Sequence, residues 1–179
     1  IKYFSEKDNG VYDAMNKAVE VANGEFCIFL GSGDRLHDEN VLDKLKQVMN
    51  NRKADIYYGY VIETVGEKTI PLIRKINWTY KMKLTPVCHQ AVCAKTDLLK
   101  NNPFDIMYKI AADQDWLMKM VKRGKKFIYI NIPIAFYPMD GLSSNNNDVF
   151  VQEQKLIHKT YYPFWQLVRQ TWRKIVGKE

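Results

Sequence analysis

Phe26-Cys27-Ile28-Phe29-Leu30 is an unbroken apolar run held between Gly24 and Gly31. Five residues are too few for a helix, and the run lacks the alternation of a half-exposed strand, so it reads as a buried strand of a parallel sheet. Such a strand needs cover on both faces, and the flanking segments have the pattern to supply it. From Val11 to Ala22, the residues Val11, Met15, Ala18, Val19 and Ala22 fall at helical spacing, and Asn23-Gly24 suits a left-handed C-terminal cap. Asp38 is placed to cap a second helix with Val41, Leu42, Leu45, Val48 and Met49 inward, and Asp55 to Ile62 returns as a strand. Helix, strand, helix, strand is the order of a layered α/β domain.

Between Gly66 and Pro86 the pattern gives way to a polar, basic segment with Trp78 and Tyr80, expected to leave the sheet. His89 to Leu99 is a strand or irregular piece running into a short helix. Ala111 to Arg123 is helical, with Trp116, Leu117, Met120 and Val121 inward and Gly124 at its end. Phe127 to Ile132 alternates as a strand, and Pro133 limits its pairing. Gly141 to Asp148 is a Ser/Asn-rich loop, and Phe150 to Val176 is a helical stretch interrupted near Pro163.

At 179 residues, with 46% hydrophobic and 13% aromatic side chains, the chain carries enough apolar surface for one globular core and too much for a disordered tail. Cys27, Cys88 and Cys93 are odd in number and lack zinc-site spacing, which argues against a disulfide framework and for a reducing, cytoplasmic setting. No apolar run approaches the roughly 20 residues of a spanning helix, and no signal-peptide pattern opens the chain. The net charge of +7 favours anionic partners. From Lys155 to Glu179 there are six Lys or Arg against one Glu, interleaved with Tyr161, Tyr162, Phe164, Trp165 and Trp172. That tail suits either packing on the domain with a solvated basic face, or binding to an anionic membrane surface as a peripheral helix on the inner leaflet. No nucleic-acid motif accompanies the charge, so nucleic acid is not an expected partner.

Ligands of open α/β sheets gather at the carboxyl ends of strands, where Gly31-Ser32-Gly33-Asp34 sits. Glycines there let a diphosphate approach the backbone, and Asp34 could hold a hard divalent cation that keeps water and phosphate oxygens as its other ligands. A turn or capping aspartate is the plainer alternative. Asp113 and Asp115, two residues apart at a helix start, cannot share a face and should have different jobs: one serving the helix dipole, the other entering a cleft as a general base. His89-Gln90 could line a pocket, or His89 could be a satisfied core histidine. No phosphate-binding Gly-x-x-x-x-Gly-Lys-Ser and no Gly-x-Ser-x-Gly elbow is present, which removes nucleoside triphosphatase and serine hydrolase readings.

Ser5-Glu6-Lys7-Asp8-Asn9-Gly10-Val11-Tyr12-Asp13-Ala14-Met15-Asn16-Lys17-Ala18, followed by Gly24-Glu25 and Phe29-Leu30-Gly31-Ser32-Gly33-Asp34, closely resembles glycosyltransferase family 2. His89-Gln90, Phe104-Asp105, Asp113 with Asp115, and Gly141-Leu142-Ser143 continue the likeness, which runs from about Ser5 to Ser144. The resemblance implies an inverting sugar transferase of the GT-A fold, with a mixed, mainly parallel sheet flanked by helices, a nucleotide-diphosphate sugar donor and Mg²⁺ or Mn²⁺. Asp34 matches the last acid of the metal motif, with Ser32 in place of the preceding acid. Asp113 matches the catalytic base. Asp8, Asn9, Gly10, Asp13 and Asn16, with Ser32 and Gly33, match the donor side, and His89, Gln90 and Asp115 the acceptor side.

The family's opening strands, which read the base and ribose, have no counterpart here, so the expectation is a partial catalytic domain over 1–150 with a basic, aromatic extension over 151–179. An exposed sheet edge at that front would favour a homo-oligomer. The expected role is building bacterial surface polysaccharide such as capsule or lipopolysaccharide on a glycan or lipid-linked glycan acceptor. The alternative is a non-catalytic carbohydrate-binding or assembly module.

Overall fold

The structure, a computed structural model, describes residues 2–66, 68–74, 76, 87–138 and 147–161, with the side chains of Val65 and Asn147 left aside. In chain order the elements are α1 (Val11–Val21), β1 (Phe26–Cys27), β2 (Arg35–Leu36), α2 (Val41–Asn51), β3 (Ile56–Val65), β4 (Lys68–Leu72), a 3₁₀ turn (His89–Ala91), β5 (Val92–Lys95), α3 (Thr96–Lys100), α4 (Ala112–Lys122), β6 (Phe127–Pro138) and α5 (Asn147–Tyr161). The strands form one mixed sheet ordered β1-β5-β3-β6-β2, with β4 hairpinned onto β3.

Both faces of the sheet are covered. Ile56 and Tyr58 of β3 pack with Tyr12, Met15 and Val19 of α1, Trp116, Leu117 and Met120 of α4, and Ile157 of α5. Tyr57 and Val61 turn to the opposite face, against Val41 and Leu45 of α2 and Ile128, Ile130 and Ile134 of β6. This two-sided burial explains the unbroken apolar run near residue 26, because Phe26 and Ile28 pack on the α2 side while Cys27 and Phe29 pack on the other. Only Phe26–Cys27 form ladder bonds, however, and Leu30 is 41% exposed.

Sheet direction differs from the expectation. Among the described residues only β3 and β6 run parallel; β1–β5, β2–β6, β3–β4 and β3–β5 are antiparallel. The mixed α/β class stands, but the short strands carrying the loops are antiparallel additions to one long parallel pair. Pro133 does not end β6 either. The ladder shifts register there, from Tyr58 opposite Tyr129 to Tyr60 opposite Pro133, and the irregularity accommodates a residue with no N–H before pairing resumes at Val61 and Ala135. The segment after Gly66 was expected to leave the sheet, yet Lys68–Leu72 pairs with β3, turning at Gly66 with φ +59°. Trp78 and Tyr80 lie outside the described residues.

Helix ends and faces bring further corrections. α1 stops at Val21 with Ala22 extended, and neither Asn23 nor Gly24 takes a left-handed conformation, because the chain runs straight on toward β1. Val11 and Ala18 are exposed; Tyr12 takes the buried position beside Met15 and Val19. Asn40, not Asp38, occupies the N-cap of α2. The Asp38 carboxylate accepts from the Asn40 N–H and from Lys44 Nζ, and Lys44 holds its pKa down to about 2. Leu42 is exposed, while Val41 and Leu45 are buried. α4 has the expected inward Trp116, Leu117 and Met120, Val121 is only half-buried, and Gly124 at φ +64° follows its end. The boundary expected at 150/151 falls inside α5, whose Phe150, Ile157 and Tyr161 pack on the same core as α1 and α4. Pro163 and the rest of the tail lie outside the described residues.

Gly59 stands where β3 and β6 slip in register, and a Cβ there would lie 2.5 Å from the Ile132 carbonyl oxygen and 2.8 Å from Ile134 Cγ1. Backbone on one side and a core side chain on the other leave nothing to yield cheaply. Gly59→Ala is expected to cost about 1–3 kcal/mol in urea unfolding, whereas Gly66→Ala, with open space around it, should show only the smaller strain of its positive φ.

Candidate functional site

The loop joining β1 to β2 is a tight turn closed on itself: the Asp34 N–H donates to the Gly31 carbonyl oxygen at 3.1 Å, and the Gly31 N–H donates to Asp34 Oδ2 at 2.8 Å. Gly33, at φ +87°, is the position that requires glycine, whereas Gly31 has an ordinary backbone conformation. Asp34 Oδ2 also accepts from Gln90 Nε2 at 2.9 Å. Its Oδ1 takes no hydrogen bond from the described residues, and Ser32 and Gly33 form the exposed tip.

Gln90 is 4% exposed and sits in the 3₁₀ turn before β5, next to His89. His89 Nδ1 lies 3.5 Å from Asp113 Oδ2, and its Nε2 is buried without a hydrogen-bond partner among the described residues. The dipeptide His89-Gln90 thus joins the two carboxylates that the sequence singled out, one on each side chain. His89 and Asp113, with Cys27, Phe29 and Phe104, line a cavity of ≈ 20 Å³.

Asp113 is in the first turn of α4. Its Oδ1 accepts from the Gln114 N–H at 2.8 Å and lies 3.1 Å from the Tyr12 hydroxyl, which is 2.7 Å from the Ile110 carbonyl oxygen. Burial and the charge of Asp113 push the Tyr12 phenol far above its ordinary pKa, so it stays a donor. Asp115 points elsewhere, as two-residue spacing on a helix requires. It is 7% exposed, accepts from the Tyr161 hydroxyl of α5 at 2.9 Å, and burial raises its pKa. The acceptor-side place expected for Asp115 is therefore taken up by helix packing in this structure.

The expected donor-side segment is built largely from local bonds. Asp8 accepts from the Gly10 N–H, Asp13 accepts from the Asn9 N–H and pairs with Lys17, and Gly10 at φ +124° turns the chain into α1. Asn16 pairs both ends of its amide with the backbone of Phe104, accepting at 2.9 Å and donating at 2.9 Å. Its side chain locks a loop of the core beside the cavity. Two residues escaped the sequence reading. Tyr12 had a signal, since 12, 15 and 19 share a helical face. Glu153 had none, because its partners are backbone N–H groups more than forty positions away: Lys109 at 2.7 Å, Ile110 at 3.0 Å and Ala111 at 2.9 Å.

Among the described residues no group of three or more His, Cys, Asp and Glu could enclose a metal ion. A cation at Asp34 would have one carboxylate oxygen, Oδ1, from the described residues. That suits a hard ion such as Mg²⁺, which keeps several waters and takes its remaining ligands from phosphate oxygens.

No protein-family model matches the chain. A PGL/p-HBAD biosynthesis glycosyltransferase of Mycobacterium bovis is 28% identical over 151 residues, covering 78% of this chain and 55% of that protein. An uncharacterized glycosyltransferase of Mycobacterium tuberculosis is 30% identical over 125 residues, 64% of this chain and 45% of that protein. The chain is similar in sequence to glycosyltransferases. In fold it is similar to S. aureus TarS 1-349 in complex with UDP-GlcNAc, with TM-score 0.59 at 17% identity over 80% of this chain and 43% of that one. The UDP complex of the same protein gives 0.55 at 19% identity, with 79% and 42% covered. The chain thus spans about half the length of the curated relatives it matches. No helix among the described residues is long and apolar enough to cross a membrane.

The buried Asp115 supplies a test of its assignment to packing. Its raised pKa means that folding favours the neutral acid, so its ionisation subtracts stability as pH rises through the unfolded and then the folded pKa. Asp115→Asn keeps an acceptor for Tyr161 and removes that penalty. The variant should melt above the parent at pH 7, with the two converging as pH falls below about 3, where Asp115 is protonated in both states.

Proposed function

We propose that this chain forms the catalytic-base and diphosphate-facing part of an inverting glycosyltransferase, which moves a sugar from a nucleotide-diphosphate donor to a hydroxyl of a cell-envelope glycan or lipid-linked glycan. The observation that carries this reading is the Asp34–Gln90–His89–Asp113 chain, in which one dipeptide contacts a candidate cation ligand with one side chain and a candidate base with the other. The sequence likeness to mycobacterial glycosyltransferases and the fold likeness to a protein that binds UDP-GlcNAc support it.

In this reading Asp113 takes the proton of the acceptor hydroxyl as that hydroxyl attacks the anomeric carbon from the face opposite the departing diphosphate. Oδ1 is engaged by the Gln114 N–H and the Tyr12 hydroxyl, which leaves Oδ2, on the His89 side, to receive the proton. His89 stands beside that oxygen, and its buried Nε2 has no hydrogen-bond partner among the described residues. Gln90 holds Asp34 with one oxygen turned away, and the glycine turn at 31–33 lets a diphosphate come close to the backbone. Mg²⁺ or Mn²⁺ bound at Asp34 would offset negative charge on the leaving diphosphate. The basic, aromatic tail after Tyr161 fits an enzyme that meets a lipid-linked acceptor at an anionic membrane surface.

The test is sugar transfer from a nucleotide-sugar donor by Asp113→Asn and Asp34→Ala. Asp113→Asn should retain donor binding and lose about a hundredfold or more in turnover, and Asp34→Ala should abolish stimulation by Mg²⁺ or Mn²⁺. Full turnover in the first variant removes Asp113 as the base. Undiminished metal stimulation in the second removes Asp34 from the cation site.

A further inference from the structure

The backbone just ahead of α4 is gripped from two directions. On the amide side, the Glu153 carboxylate accepts from three successive N–H groups, those of Lys109, Ile110 and Ala111. On the carbonyl side, the Ile110 oxygen lies 2.7 Å from the Tyr12 hydroxyl, the same hydroxyl that lies 3.1 Å from Asp113 Oδ1. Three charge-assisted bonds of 2.7 to 3.0 Å thus converge on one carboxylate. α5 has other anchors for docking: Ile157 is fully buried, Gln154 Nε2 donates to Gln114 Oε1 at 3.0 Å, and Tyr161 reaches Asp115. Glu153 is set apart from these because its bonds fall on the segment that sets where α4 begins, two residues before Asp113 in the case of Ala111.

We infer that Glu153 is a positioning residue for Asp113: by holding residues 109–111 against Tyr12, it sets the height and rotation of the first turn of α4 and so the place of the Asp113 carboxylate. The inference rests on the reading of Asp113 as the base. Its physical basis is geometric, since a displacement of about 1 Å in a catalytic group is enough to cost on the order of a hundredfold in rate. A negative charge at this place also complements the positive end of α4, although three carboxylates, Asp113, Asp115 and Glu153, crowd the same turn. Crowding of that kind is tolerated because Glu153 spends both oxygens on N–H groups.

Glu153→Gln tests the inference with little change of shape. An amide can accept on one side only, and its NH₂ faces N–H groups on the other. The expected result is a fall of about tenfold or more in kcat with the donor KM unchanged within about twofold, together with faster hydrogen exchange at the amides of 109–111. The comparison is the double variant Gln154→Ala/Tyr161→Phe, which weakens α5 docking without touching that segment. It should lower the melting temperature at least as much as Glu153→Gln and keep kcat. If both variants lose kcat in proportion to lost stability, or if Glu153→Gln keeps full kcat, Glu153 is an anchor only and the inference falls. Asp113→Asn measured alongside separates the two ideas. Loss there with none in Glu153→Gln overturns the positioning role and leaves the base, whereas no loss in Asp113→Asn overturns both.

Discussion

The parallel pairing of β3 with β6, buried on both faces, is the constraint on which the rest of the molecule depends. Tyr57 and Val61 face one core while Ile56 and Tyr58 face the other, so β3 cannot slip by one residue without exchanging its two faces. The register irregularity at Gly59 and Pro133 pins β6 further, since only glycine admits the Ile132 carbonyl there. Every shorter strand is added to this pair or to β5 beside it, and the loops that carry the candidate site hang from those additions.

From that frame the site is assembled by polar bonds that bridge distant parts of the chain. Gln90 reaches Asp34 across 56 positions, and Tyr12 reaches Asp113 across 101. In a partly buried site such bonds do more than hold geometry. Asp34 Oδ2 is held by the Gly31 N–H and by Gln90 while its Oδ1 takes no hydrogen bond from the described residues, and Asp113 turns Oδ1 to the Gln114 N–H and Oδ2 toward His89.

The start of α4 shows how burial and charge share the work. Asp113 and Asp115 both sit in the first turn, where the helix dipole favours them, but their partners lie on opposite sides, α1 for one and α5 for the other. Burial raises the pKa of Asp115, and burial together with the bond to Asp115 raises that of Tyr161, tying the pair to packing, while Asp113 lines the cavity with His89. Cys88, next to His89 in the chain, is pushed up to about 12 by burial and so stays a protonated, unreactive thiol near neutral pH.

Local pattern alone determined the four long helices, the two central strands, the glycine turn carrying Asp34 and the divergence of Asp113 from Asp115, because these follow from periodicity and from backbone rules acting over a few residues. Pairing of Gln90 with Asp34 and of His89 with Asp113, and the capture of Asn16 by the backbone of Phe104, were decided by the tertiary structure. So were the antiparallel direction of the short strands and the passage of β6 through Pro133. The reason is the same in each case. A residue's type states which bonds it can make, but whether Asn16 faces a ligand or the backbone of Phe104 depends on what folding brings within 3 Å of it. Glu153 is the extreme: nothing in its neighbourhood along the chain marks it, since all three of its partners are main-chain N–H groups, identical in every residue, supplied by a segment that only the packing of α5 on α4 places before it.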